Sequence, residues 1–383
     1  MRTVAVGALR GAALTLGLVG LGCNAEAEHD REQLRADMRE IYASIGVLLP
    51  LSVDEAEFRS PEHREEIRQA LATLAARAEH VGSHGGRGDR RIRYLGGSLA
   101  RESSEALRRF EAGRVEASQF FLRRLTDYCV ACHSGLPSPK DSPLARDFVK
   151  DEALEKLPLE QRASLQVATR RFDDALASFE AVIASGRHPA ELIDPLSQYL
   201  AVALRVKRDL TRPIPVLRAL AAREGLWKNL RIDVERWAET LERHAAKPPG
   251  EFTLESARGL LDEAREVSRF PMDRQALVHH LLASAGLRRY VEAQGDETHR
   301  DVAEAYYWLG LIESRLEGIT WVAEADFYLE TAIRLAPGDP IAAEAFALFE
   351  EQALLAWSGS SGTHMPEDVR RHLEELRTLV ESS

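Results

Sequence analysis

Cysteine is scarce in this chain: Cys23, Cys129 and Cys132 are the only three among 383 residues. So few cannot staple a fold of this size as a disulfide scaffold. Long basic runs are missing, and the formal net charge is -11, which argues against a nucleic-acid-binding surface. The acidic excess reads as solvated helix faces. No stretch approaches the ~20 continuous apolar residues that a membrane helix needs. Strand-like alternation is absent, methionine is limited to four residues, and no nucleophile–base pair or metal–carboxylate cluster stands out. The expectation is therefore a protein that is not an enzyme.

What is present is helix-forming. Ala, Arg, Leu and Glu dominate, and apolar residues recur at spacings of three and four, so the expected class is all-α. The chain is 45% hydrophobic, enough for a sizeable core, and at roughly 100–200 residues per domain two domains are expected.

The N-terminus reads as an export signal. Arg2 and Arg10 precede an apolar run from Gly11 to Gly22 that is too short to span a bilayer. Two processing routes stay open. "GLGC" resembles a bacterial lipobox in which Cys23 becomes the lipidated first residue, although Gly20 stands where that pattern prefers Leu. Ala25-Glu26-Ala27 fits an ordinary signal-peptidase site, which would discard Cys23. The lipoprotein route is favoured, because Cys23 ends the apolar run and no other cysteine needs it as a partner. A lipid anchor inserts acyl chains into one leaflet without making a spanning protein. Both routes place the chain at a bacterial cell envelope, facing the periplasm.

Four helices follow. The first is expected over about 28–49 with Leu34, Met38, Ile41, Ile45 and Leu48 as its stripe and Pro50 as its stop. Ser60-Pro61 starts a second, with Ile67, Leu71, Leu74, Ala78 and Val81 on one face. "GSHGGRGD", residues 82–89, breaks the pattern; His80 and His84 beside it read as surface residues. A third helix covers about 90–112, with Leu95, Leu99, Leu107 and Phe110 buried. A fourth starts at Val115 with Phe120, Phe121, Leu125 and Tyr128. Helices of this length with short loops predict an antiparallel four-helix bundle.

The fourth helix ends in "YCVACHSG", residues 128–135. In C-x-x-C-H, cysteines at i and i+3 and a histidine at i+4 share one face over one helical turn. Two thiols there can form thioethers with the two vinyl groups of one haem, and the imidazole supplies the proximal iron ligand. A zinc site would need a fourth ligand, and none stands nearby in the sequence. A thioredoxin-type pair would need a βαβ context. A chance match in a protein without haem is the remaining alternative. Covalent attachment happens outside the cytoplasm, where the export signal independently sends the chain.

A bundle with C-x-x-C-H near the end of its fourth helix resembles the class II c-type cytochromes, the cytochrome c-prime and c556 group. "LRADMREIYASIGVLLPL", residues 34–51, is similar to that family's first helix, where an Arg precedes a Met or Leu facing the haem. The resemblance covers about residues 28–137. It implies haem c attached at Cys129 and Cys132, His133 as proximal ligand and Met38 on the distal face. The chain departs from the family after the histidine. Gly135 and Pro137 end the helix early, and Pro137 stands where the family carries a basic residue. Met38 has three readings. As an iron ligand it suits electron transfer with a raised potential; packed on the porphyrin it leaves an open position for a diatomic gas; otherwise it is ordinary core beside Leu34 and Ile41.

"SGLPSPKDSP", residues 134–143, opens a linker. Beyond it the helices shorten and pair. Residues 171–185 resemble the second helix of a tetratricopeptide unit through Ala175, Phe179 and Val182. Residues 323–340 match it better through Ala325, Leu329, Ala332 and Pro337, with Leu309, Ile312 and Leu316 on the preceding helix. Glu313 departs from the pattern, at a site where a small residue allows close helix approach. Residues 195–225 form a weaker pair, "AAKPPGE" (245–251) separates two groups, and "SGSSGT" (358–363) precedes a closing helix. A generic array of helical hairpins is the alternative for the first and third units. His279-His280 is set aside, because neighbouring helix positions point about 100° apart and solvent or packing accounts for them.

The expected organisation is thus an export signal (1–27), a haem-bearing bundle (28–137), a linker (138–158) and two groups of tetratricopeptide-like helices (159–246 and 251–383). The expected function is one-electron transfer, with the array docking a redox partner or envelope complex. The alternatives are a gas-binding haem protein and a scaffold lipoprotein without haem.

Overall fold

The computed structural model describes residues 17–53, 55–84, 90–134, 154–155, 157–248, 250–271, 273–294, 300–316, 324–360 and 362–382. Residues 1–16, the linker prolines 137, 139 and 143, Gly135 and Met272 lie outside the described residues, as do the side chains of residues 17–31, Cys23 among them. The protein is all-α, with sixteen α-helices and one small antiparallel hairpin among the described residues.

Helix α1 (Gly17–Val53) buries Ile41, Ile45 and Leu48 and leaves Leu34 and Met38 half-buried. It runs through position 27 and does not stop at Pro50. Proline removes one backbone donor and orphans a carbonyl, but the end of this helix finds partners elsewhere. Ser52 Oγ donates to the Leu49 carbonyl at 2.8 Å, and Gln119 Nε2 donates to that of Ser52 at 2.6 Å. The short α2 (Glu55–Arg59), unforeseen in the sequence, sets Phe58 edge-on against Phe110 at 5.8 Å.

Helix α3 (Arg64–His84) buries all five residues of its expected stripe. Helix α4 (Arg90–Glu111) meets α3 where two glycines face each other. A Cβ on Gly96 would lie 2.8 Å from the Gly82 Cα, so this position needs glycine for the backbones to come this close, and a Cβ on Gly82 would sit tightly at 3.1 Å from the Gly96 backbone. Gly113, at φ +74°, then turns the chain into α5 (Val115–Ser134). Helix α3 packs between α1 and α4, and α4 packs on α5. Ser118 Oγ reaches the Ala106 carbonyl at 2.8 Å across the α4–α5 contact. Leu125 and Tyr128 are buried as expected, but Phe120 is 58% exposed and Leu122 takes the inward position instead.

Helices α6 (Leu159–Ala168) and α7 (Phe172–Ala184) form a hairpin that buries Ala175, Phe179 and Val182. Helix α8 (Ile193–Ala201) continues as a π-turn over Val202–Lys207 and is followed by α9 (Pro213–Ala221) and α10 (Lys228–Ala245). Next come α11 (Leu254–Val267), α12 (Leu277–Gln294), α13 (Arg300–Arg315), α14 (Ala325–Leu335) and α15 (Pro340–Trp357). Ser358–Gly359 pairs with Gly362–Thr363 before the closing helix α16 (Glu367–Glu381). Helix α5 packs on α6, and one hydrophobic core runs from α1 through α14. No helix among the described residues is long and apolar enough to cross a membrane.

The α13–α14 hairpin buries Leu309, Ile312, Leu316, Ala325, Leu329 and Ala332 as expected. The small residue at its crossing is Gly310, because a Cβ there would meet Leu329 Cδ2 at 2.5 Å. That frees position 313 to carry a carboxylate. Gly310→Val should destabilise the protein by ~1–3 kcal/mol through overpacking, read as a lower urea midpoint.

Packing, and not solvent, accounts for His279-His280, since both are buried. Burial pulls the His279 pKa down to about 4, against the pull of Glu263, whose Oε2 is 3.5 Å from His279 Nε2. Burial, aided by the His279 charge, takes His280 to about 3. An unfolded histidine titrates near 6.5, so between that pH and the folded value the unfolded chain binds more protons. Stability should therefore fall as pH drops from about 6.5 toward 4, by roughly 3 kcal/mol for His279. Urea midpoints from pH 7 to 4 should flatten in the double variant His279→Gln, His280→Gln; an unchanged slope would contradict this.

Candidate functional site: the Cys129–His133 turn

Helix α5 is anchored by Leu125, Tyr128, Val130 and Ala131, which face the core. Because the helix is continuous to Ser134, Cys129, Cys132 and His133 share a single turn on its half-buried face. The cysteines are thiols and not a disulfide. Cys129 Sγ donates to the Leu125 carbonyl at 3.6 Å. Burial pushes its pKa up to about 12, with Cys132 and Asp127 acting in the same direction. A thiol held protonated in this way lacks the thiolate character of a redox or nucleophilic cysteine.

His133 is held by backbone from another helix hairpin. Its Nδ1 pairs with the carbonyl oxygen of Ala168, the last residue of α6. A carbonyl only accepts, so Nδ1 carries the hydrogen. Burial draws the ring's pKa below its ordinary value, the Arg170 charge helps, and the Ala168 contact opposes without reversing the shift. A neutral ring protonated at Nδ1 leaves the lone pair on Nε2, the state in which a histidine ligates a metal. Arg170 itself takes a left-handed φ of +60°, rare for a non-glycine residue, as the chain turns from α6 to α7.

On the other flank, Arg91 Nη2 donates to the Ala131 carbonyl, inside the motif, at 2.8 Å. The same guanidinium binds Glu324 through Nε at 2.5 Å and Nη2 at 2.9 Å. Glu324 is the residue before α14, so the motif is braced from α4 and from the C-terminal half of the chain.

Met38 is half-buried. It lies on α1, which packs along α3 and touches α5 more lightly, and it shares one hydrophobic core with Cys129 and Cys132. Tyr42, one helical turn further on, packs against the same core. Burial raises its pKa, while the charge of Arg171, at the start of α7, acts to lower it. His80 is exposed as expected, 3.7 Å from buried Asp37. Sequence reasoning missed Ala168, Arg170 and Arg91. A backbone carbonyl leaves no sequence signal, and Arg91 is one of several arginines in "RRIR".

No protein-family model matches this chain, and no curated protein or solved structure matches it.

Proposed function

We propose that the chain carries one haem c, attached through Cys129 and Cys132, and serves as a one-electron carrier at the cell envelope. The observation that carries this reading is the state of His133. Its Nδ1–H is spent on Ala168, which leaves the Nε2 lone pair on the same helical turn as the two cysteine thiols. That donor set fits the group: two sulfurs for thioethers and one imidazole nitrogen for iron. In this reading α1, α3, α4 and α5 form the antiparallel four-helix bundle of a class II c-type cytochrome. The later hairpins form the tetratricopeptide-like surface that docks a redox partner or envelope complex. The segment 1–27 is then the export signal, with Cys23 lipidated or removed.

When bound, the haem supplies a centre that gains and loses one electron. The chain's residues do the rest. Cys129 and Cys132 would tether the porphyrin, and His133 Nε2 would bind its iron. The Ala168 carbonyl fixes the imidazole's rotation and raises its basicity. The apolar residues of α1 and α5 keep water away from the ring. Met38, from α1, would pack against the haem, and its thioether as an iron ligand would raise the potential.

The test is expression of the full precursor alongside a cytochrome c maturation pathway. Haem should stay with the denatured polypeptide; its absence leaves the scaffold reading. In the oxidised holoprotein the methionine–iron charge-transfer band should be present and should vanish in Met38→Ala. A high-spin five-coordinate spectrum in the unaltered protein would instead assign the gas-binding role.

A further inference from the structure

Five charged side chains form a continuous buried network behind the motif helix. Arg91 of α4 holds Glu324. Glu324 Oε2 also accepts from Arg288 of α12 at 2.9 Å. Arg288 reaches Glu313 Oε1 of α13 at 3.1 Å, and Arg205, in the π-turn, reaches the same oxygen at 2.9 Å. Side-chain exposures are 15% for Arg91, 12% for Arg288, 7% for Arg205, 2% for Glu324 and 1% for Glu313. Burial alone would raise the Glu324 carboxyl; Arg91 and Arg288 outweigh it and hold it below the usual range. Three guanidiniums against two carboxylates leave one positive charge over, on side chains little exposed to solvent and so weakly screened.

This surplus charge touches the site, because Arg91 bonds the Ala131 carbonyl between the two cysteines and lies within electrostatic reach of Cys132. A buried charge acts on its neighbours through a lower dielectric than a surface charge does. A redox centre loses one unit of positive charge when it accepts an electron. A fixed positive charge nearby therefore favours the reduced form. Carboxylates in the same network oppose it.

We propose that the Arg91–Glu324–Arg288–Glu313–Arg205 network sets the reduction potential of the haem site, holding it above the value the ligands alone would give. The inference rests on the haem reading and adds residues from the C-terminal half to the machinery of that site. Arg91 is a positioning residue for the motif helix, and Arg288, Arg205, Glu313 and Glu324 act through it and through their field. The network also makes the potential depend on how α12, α13 and α14 sit against α5.

The test is a pair of neutralisations with opposite sign in the full-length holoprotein, titrated with dithionite in the presence of redox mediators. Arg288→Gln should lower the midpoint potential and Glu324→Gln should raise it. Each shift should be about tenfold in the equilibrium constant of reduction, ~59 mV for a one-electron couple. Arg377→Gln, which removes a partner of Glu350 from the exposed face of the closing helix, should leave the potential unchanged. If Arg288→Gln does not yield folded protein by circular dichroism, Arg205→Gln makes the same neutralisation. A merely structural role would loosen the site in both variants and move the potential the same way. Same-direction shifts, or none, overturn the proposal while leaving haem attachment intact. An unaltered protein without covalent haem overturns both readings at once.

Discussion

A Cys129→Ser, Cys132→Ser variant should carry no haem after denaturation, while each single variant should keep a weaker covalent link through the remaining thioether. The expected effect is complete loss, because serine hydroxyls do not form the thioether and the polypeptide would hold the porphyrin through His133 alone. Haem staining of a denaturing gel reads the covalent link directly. His133→Ala should behave differently. The thiols remain, so covalent haem should persist at reduced yield, but the spectrum should lose its histidine-ligated form. Equal haem retention in the double cysteine variant would overturn the reading of this turn as an attachment site. The structure adds an internal control. The hydrogen bond from His133 goes to the backbone carbonyl of Ala168, which a side-chain change keeps, so Ala168→Ser should leave both attachment and ligation intact.

Glu313→Ala should be among the most damaging single changes to stability. Glu313 Oε1 accepts from both Arg205 and Arg288, and the carboxylate is 1% exposed. Removing it leaves two buried guanidiniums short of a partner, and breaking a buried pair in this way costs about 3–5 kcal/mol. Urea unfolding followed by circular dichroism should show a midpoint drop larger than that of Gly310→Val. A double variant Arg205→Met, Glu313→Met, which replaces charges with apolar bulk, should recover much of the loss, because a buried ion pair exchanged for packed apolar side chains is often neutral. A loss below 1 kcal/mol in Glu313→Ala would mean that water reaches the network.

Helical periodicity was legible because a buried face must repeat every three to four residues whatever lies opposite. The stripes Ile67–Leu71–Leu74–Ala78–Val81 and Leu309–Ile312–Leu316 are accordingly buried as read. The C-x-x-C-H turn was legible for the same local reason, since spacing alone puts three side chains on one face. Pro50 misled, because a proline removes a single helical bond, and the carbonyls at the end of α1 find side-chain partners in Ser52 and in Gln119 from α5. Phe120 misled because several apolar residues crowd the start of α5 and only the packing of α4 decides which of them turns inward. Glu313 read as a departure from a repeat pattern, since nothing in its neighbourhood announces Arg205 or Arg288, 108 and 25 positions away.

By itself, then, the sequence determined the all-α class, most of the helix faces, and the one turn that presents two thiols and an imidazole together. These are consequences of backbone periodicity, which acts over a few residues. The tertiary structure decided the tautomer of His133, the bracing of Ala131 by Arg91, and the buried surplus of positive charge behind the motif. Each depends on groups brought together from distant parts of the chain, where burial strips away water and makes hydrogen bonds and charges decisive.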